Sequence, residues 1–356
     1  MFIRTSASSF ASSIASTIAL LSISLLLVST AVQAQMSAGF RQQTLQTTPS
    51  EKISAAIWYP SQSQEVTVPI GPSLLTVAMN AAPIGGQYPL IVISHGTGGM
   101  NLNQHEIAAA LARAGNIVLA INHPGDNYQD RSLVGNIAYF SERPRQISRS
   151  LDVLLKDNFW KPLIDENRIG LIGHSAGGFA GLALLGATPS LANTVQHCAD
   201  NFDDDLWFCK VSGSKQKAQS DAKNIAYMPA LPSSTDVRIK SAVIIAPVGA
   251  FFSPQALANV KAPIKLYIAP LDEILTPRFH AEYIARNVKS AEPISIAKGG
   301  HFMLLSKLIL PAGGNITING SEVNFDPPGF SRQKAIDEAQ ADIAAWFSLQ
   351  FSNKTR

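Results

Sequence analysis

The stretch that most constrains this chain is Ile169-Gly170-Leu171-Ile172-Gly173-His174-Ser175-Ala176-Gly177-Gly178, which passes at once into Phe179-Ala180-Gly181-Leu182-Ala183-Leu184-Leu185. Branched apolar residues favour a buried strand, and the run after Gly178 reads as a helix. Strand, sharp turn and helix therefore follow one another with a single serine at the apex. To push its hydroxyl out of such a turn the serine must take a strained backbone conformation. Side chains at positions 173 and 177 would collide with the neighbouring chain, which is why both are glycine. Gly-x-Ser-x-Gly also arises by chance in Gly- and Ser-rich loops, so the reading depends on partners elsewhere in the chain.

A reactive serine needs a base, the base needs an orienting acid, and the tetrahedral intermediate needs donors for its oxygen. On a sheet of this kind the acid and the base follow the serine in that order, in loops after later strands. Of seven histidines, His95, His105 and His123 precede Ser175 and His174 adjoins it; His197 and His280 lie in an insertion and on a predicted helix. His301 remains, in Lys298-Gly299-Gly300-His301-Phe302 directly after the last predicted strand, where two glycines let the loop turn back. For the acid, Asp272 closes Leu266-Tyr267-Ile268-Ala269-Pro270-Leu271-Asp272, with Glu273 as the alternative one residue on. Asp272 is also suited to capping the helix predicted from Pro277. The oxyanion donors expected are the backbone N–H of Ala176 and that of Thr97, in Gly96-Thr97-Gly98-Gly99. Neither glycine cluster has the Lys-Ser/Thr of a P-loop or fits G-x-G-x-x-G, which argues against a nucleotide.

Around these residues the chain alternates. Predicted strands at Ile53–Pro60 and Leu74–Ala78 follow a polar lead-in and are expected to be antiparallel and at the sheet edge. Tyr88–Ser94, Ile117–Ile121, Ile239–Ala246, Ile264–Ile268 and Ile294–Ala297 are the other strands, with helices at Gln104–Ala114, Arg143–Lys156, Pro254–Val260, Pro277–Asn287 and Arg332–Phe351. The fold class expected is α/β, a mostly parallel central sheet covered by helices on both faces. Between residues 188 and 237 the alternation lapses, and the segment is either a cap over the serine or a surface excursion. The Met303–Phe330 stretch, with Gly313, Gly314, Gly320 and Pro327-Pro328, reads as a loop.

At 356 residues, 46% hydrophobic and 15% charged, the chain can bury one large core. A net charge of +3 with no Lys/Arg run gives no reason to expect a nucleic acid or an anionic membrane as partner. Residues 1–34 read as a signal peptide: Arg4 is the only charge, Ile18–Val28 is nearly all apolar, and Val32-Gln33-Ala34 supplies small residues for cleavage after Ala34. The apolar run is about half of the ~20 residues that span a bilayer, so no membrane anchor is expected after cleavage. The expected organisation is thus residues 1–34, then a single domain over 35–356 with the insertion at 188–237. In an oxidising compartment Cys198 and Cys209 are expected to pair; no compact Cys/His set suggests zinc, since His197 alone is near.

The elbow at Ser175, the loop Ser94-His95-Gly96-Thr97-Gly98-Gly99, Asp272 and His301 together resemble an α/β-hydrolase over nearly all the chain after residue 34. More narrowly, His123-Pro124-Gly125-Asp126, Arg168 through Gly178 and Gly299-Gly300-His301-Phe302 are similar to bacterial proteins described as predicted dienelactone hydrolases, related to platelet-activating-factor acetylhydrolase and to polyester-degrading esterases. True dienelactone hydrolases use a cysteine nucleophile, and here Ser175 stands instead. The resemblance implies ester hydrolysis and leaves open a small-molecule, lipid or polymeric ester; the signal peptide implies a secreted or periplasmic protein, and the triad chemistry requires no metal or organic cofactor. An amidase or peptidase on the same residues, and a catalytically silent binding protein of the same fold, are the alternatives.

Overall fold

The computed structural model describes residues 36–211, 213–308, 316–318, 321–323 and 326–352; the expected signal peptide lies outside them. Ten strands form one sheet among these residues: β1 (Ser37–Gln46), β2 (Lys52–Ser61), β3 (Val66–Ile70), β4 (Ser73–Met79), β5 (Tyr88–Ser94), β6 (Ile117–Ile121), β7 (Ile164–His174), β8 (Ile239–Ile245), β9 (Ile264–Ile268) and β10 (Ala291–Ser295). Their spatial order is β10-β9-β8-β7-β5-β6-β2-β1-β4-β3. The six strands β10, β9, β8, β7, β5 and β6 run parallel to one another. Parallel pairing requires crossovers, and the helices between these strands supply them. β2 runs antiparallel to both β1 and β6, and β3 antiparallel to β4.

The continuous apolar runs of β5, β6 and β9 do what such runs predict: β6 and β9 are buried at every residue, and β5 at every residue after Tyr88. Alternate side chains of β5 feed two separate cores, Leu90 and Val92 on one face, Ile91 and Ile93 on the other. Helices α1 (His105–Arg113) and α9 (Arg332–Ser352) cover the second face. On the first lie α2 (Tyr139–Leu154), α3 (Ala176–Leu184), α7 (Pro254–Ala258) and α8 (Ala281–Asn287). Gly170 lets α9 press on the sheet, since a Cβ there would stand 2.5 Å from the Phe347 ring.

Several expectations need correction. The polar lead-in contains β1, which pairs with β2 over its whole length. β2 is therefore interior rather than at the edge, and β3 is the edge strand on that side. Helix α2 begins at Tyr139, four residues before the predicted start, with Pro144 inside it. Burial of Tyr139 and Phe140 against Phe179 and Phe251 draws the helix start back past the proline. β10 begins three residues and ends two residues earlier than predicted, and Pro277–Phe279 is a 3-10 turn set off from α8. The insertion is helical, with α4 (Leu191–Asn201), α5 (Leu206–Lys210) and α6 (Lys215–Ala222). Within the stretch read as a loop, β11 (Ile316–Ile318) and β12 (Ser321–Val323) form a hairpin; residues 309–315, 319–320 and 324–325 lie outside the described ones.

Candidate active site

Ligands of open α/β sheets sit beyond the carboxyl ends of the strands, where strand order reverses. Here the order reverses between β5 and β7. Ser175 follows β7 directly, with φ 54° and ψ −116°. That is the strained conformation expected of the apex, left-handed in φ and costly for a residue with a Cβ. Its N–H donates to the Ile245 carbonyl at 2.9 Å, fixing the turn against β8. Both glycines of the motif are sterically required. A Cβ at Gly177 would overlap the Ser94 carbonyl oxygen, and one at Gly173 would overlap the Gly177 carbonyl oxygen.

His301 and Asp272 come together as the chain order predicts. The Asp272 Oδ2 carboxylate oxygen accepts the His301 Nδ1–H at 2.8 Å, and the two side chains are 5% and 3% exposed. The other oxygen of Asp272 accepts the backbone N–H groups of Ile274 and Leu275 at 2.9 and 2.8 Å. Glu273 is exposed and makes no such bond among the described residues. Ser175 and His301 line one cavity of about 800 Å³, together with Thr97 and Gly98. Ala176 is the first residue of α3, so its N–H has no acceptor within the helix.

Aromatic side chains form much of the cavity wall: Tyr139, Phe140 and Phe251 from the body, Trp207 and Phe208 from the insertion. Leu191, Thr194 and Met228 of the insertion also line it, so the segment is a cap rather than an excursion. Cys198 and Cys209 form a disulfide with Cα atoms 5.3 Å apart, tying α4 to α5.

Sequence reasoning missed the contacts that hold these loops. His174 Nε2–H donates to the His301 carbonyl at 2.9 Å, bracing the loop that carries His301. Burial, and then the charge available to His301, push the His174 pKa down to about 3. Asp205 of the cap accepts the Nε2–H groups of His197 and His280, each at 2.8 Å, and the Thr276 N–H at 3.3 Å. Because Gly249 N–H donates to His280 Nδ1 at 3.0 Å, Nε2 must carry the His280 proton. Burial alone would raise the Asp205 carboxyl; the hydrogen bonds from His197 and His280 outweigh it and hold Asp205 well below the usual carboxylate range. His197, Asp205 and Cys209 gather potential metal-ligand atoms, but the Cys209 sulfur is engaged in the disulfide and is no thiolate.

Below the Gly96–Gly99 loop, His95, His123, Asp126 and Arg143 are all buried. A sequence signal existed for three of them: His123 and Asp126 bound the His-Pro-Gly-Asp segment, and His95 sits in the Ser94–Gly99 loop. Arg143 lies in a helix whose polar face gives no hint of burial.

Among the described residues, no helix is long and apolar enough to cross a membrane. No protein-family model and no curated protein sequence matches the chain. In structure the chain is similar to a ferulic acid esterase from Streptomyces cinnamoneus, at a TM-score of 0.57 and 16% sequence identity over 89% of this chain and 90% of that one. The ten-stranded sheet, its flanking helices and this likeness together make the fold that of the α/β-hydrolases.

Proposed function

We propose that the protein is an exported serine hydrolase of carboxylic esters, its signal peptide ending at Ala34. Ser175 is the nucleophile, His301 the general base and acid, and Asp272 the residue that orients and charge-stabilises the imidazole. The Ser175 hydroxyl attacks the ester carbonyl carbon while its proton passes to His301. The oxyanion is held by the N–H groups of Thr97 and Ala176. Collapse expels the alcohol, which takes its proton from His301, and leaves an acyl-serine. Water, deprotonated by the same histidine, then releases the acid and restores the hydroxyl.

The observation that carries this reading is the shared cavity. Ser175, at a strained apex, and His301, with its Nδ1–H bound to Asp272, open onto one apolar space of about 800 Å³. The aromatic walls suit an ester with a bulky apolar part, and the name of the structural neighbour points to esters of aromatic acids as first probes. The test is to incubate residues 35–356 with a fluorophosphonate and identify the labelled peptide by mass spectrometry. A series of acyl and aromatic-acid esters is run alongside. Ser175 is expected to carry the label, and Ser175→Ala or His301→Ala to lower turnover by several orders of magnitude. Wild-type turnover by purified Ser175→Ala sinks the proposal.

A further inference from the structure

The loop bearing the Thr97 N–H has no side-chain core of its own, since three of its four residues are glycine. Something else must hold its shape, and beneath it lies a fully buried ion pair. The side chains of Asp126 and Arg143 are both 0% exposed and bonded to each other through Asp126 Oδ2 and the Arg143 guanidinium. Each also holds the loop. Asp126 Oδ1 accepts the Gly98 N–H at 2.9 Å, and Oδ2 accepts the Thr97 hydroxyl at 3.3 Å. The Tyr139 hydroxyl also meets Thr97 Oγ1, at 3.1 Å. The second guanidinium nitrogen of Arg143 donates to the His95 carbonyl, at the root of the loop. Gly99 N–H is taken by the Gly96 carbonyl at 3.0 Å. Among the described residues Thr97 N–H has no such acceptor and stays available to a ligand.

We propose that the buried Asp126–Arg143 pair is a positioning device for the oxyanion donor, clamping the Gly96–Gly99 loop so that the Thr97 N–H faces the reacting carbonyl. The proposal rests on the serine esterase reading. Buried ion pairs add little net stability compared with apolar residues of like size, so stability alone gives weak reason for this one. Its worth lies in direction: two charged groups, each bonded to the loop backbone, fix amides that glycine leaves free to rotate. Neither residue touches the substrate, and the effect passes through Thr97.

The experiment uses Asp126→Asn, the double variant Asp126→Leu/Arg143→Met, and Thr97→Val, which removes the hydroxyl anchor and leaves both buried charges paired. Each is measured for kcat, KM, thermal midpoint and affinity for a trifluoromethyl ketone matched to the substrate. Asp126→Asn is expected to lower kcat by about 10²–10³-fold, the scale of losing one oxyanion donor, with KM nearly unchanged. Ketone affinity should fall in step with kcat/KM. The double variant should regain the stability lost in the single one without regaining kcat, and Thr97→Val should lose about tenfold in kcat at an unchanged midpoint. A stable double variant with wild-type kcat and ketone affinity overturns the proposal, because the pair is then structural only. Wild-type protein whose Ser175 is not labelled by a fluorophosphonate overturns the esterase reading itself, and this inference with it.

Discussion

Asp272 and Glu273 are neighbours in sequence with the same chemistry, and only their surroundings separate them. Asp272 lends one oxygen to His301 and the other to two backbone N–H groups, so its carboxylate has a single orientation. Glu273 points to solvent. Asp272→Asn keeps the shape but presents either an amide N–H or a neutral oxygen to Nδ1, upsetting the tautomer that the base requires. The expected outcome is a fall in kcat of about 10⁴-fold, against wild-type kcat for Glu273→Ala. Steady-state kinetics of both variants checks this; a reversed pattern would make Glu273 the acid. The same one-residue ambiguity could not have been removed by inspecting the sequence, because the loop path after β9 decides it. That His301 would lie beside the acidic loop after β9, by contrast, was legible from chain order alone.

At the scale of elements, the elbow was readable because everything that builds it is local: a branched run, two glycines that admit carbonyl oxygens, and a helix. β1 was not. Of its ten residues only Ala38, Gly39, Phe40 and Leu45 are buried, so its pattern is weak, and ten rungs with β2 make it a strand. The cap shows the same division. Its polar composition hid three helices: the disulfide ties α4 to α5, Asp205 ties this part to His280 and Thr276, and Phe202, Phe208 and Ala218 join the first-face core. Closing the loop between Cys198 and Cys209, 11 residues apart, is worth about 3 kcal/mol through the entropy of the unfolded chain. Reduction, or Cys198→Ala/Cys209→Ala, is therefore expected to loosen the cap first. The readouts are faster amide exchange in residues 191–222 and a higher KM for bulky esters, with little change for the smallest. Uniform exchange along the chain would show that the disulfide does not act on the cap in particular.

For the whole molecule, three fully buried histidines make it sensitive to acid. His95, His123 and His174 are held neutral: burial first, and then the Arg143 charge, bring His95 down to about 4, while His123 lies well below its ordinary value for the same reasons. His174 is at about 3. The bonding agrees, since the His123 N–H donates to His95 Nε2, which must then be unprotonated. In the unfolded chain all three would titrate near 6.5. Between that value and about 4 the unfolded chain binds more protons than the folded one, so stability is complete above 6.5 and falls as pH drops. Each histidine contributes a slope of up to about 1.4 kcal/mol per pH unit in this window. Urea unfolding at pH 7.5, 6 and 5 should give midpoints that decrease in that order; a constant midpoint would mean that these rings accept protons without unfolding.

The sequence by itself determined the alternation of strands and helices, the sharp turn at Ser175, the chain order that sets Asp272 and His301 in loops after later strands, and the pairing of the two cysteines. Each of these depends on neighbours a few residues apart or on an order imposed by chain connectivity. Only the tertiary structure decided that Asp272 rather than Glu273 meets His301 and that residues 188–237 close over the cavity. It also decided that Asp126 and Arg143 lie together beneath the Gly96–Gly99 loop. These depend on contacts between groups 17 to 49 residues apart around that loop, and 75 between Asp205 and His280. Through-space electrostatics and packing at such separations leave no periodic trace in the sequence, because any polar residue can be buried once the fold brings it a partner.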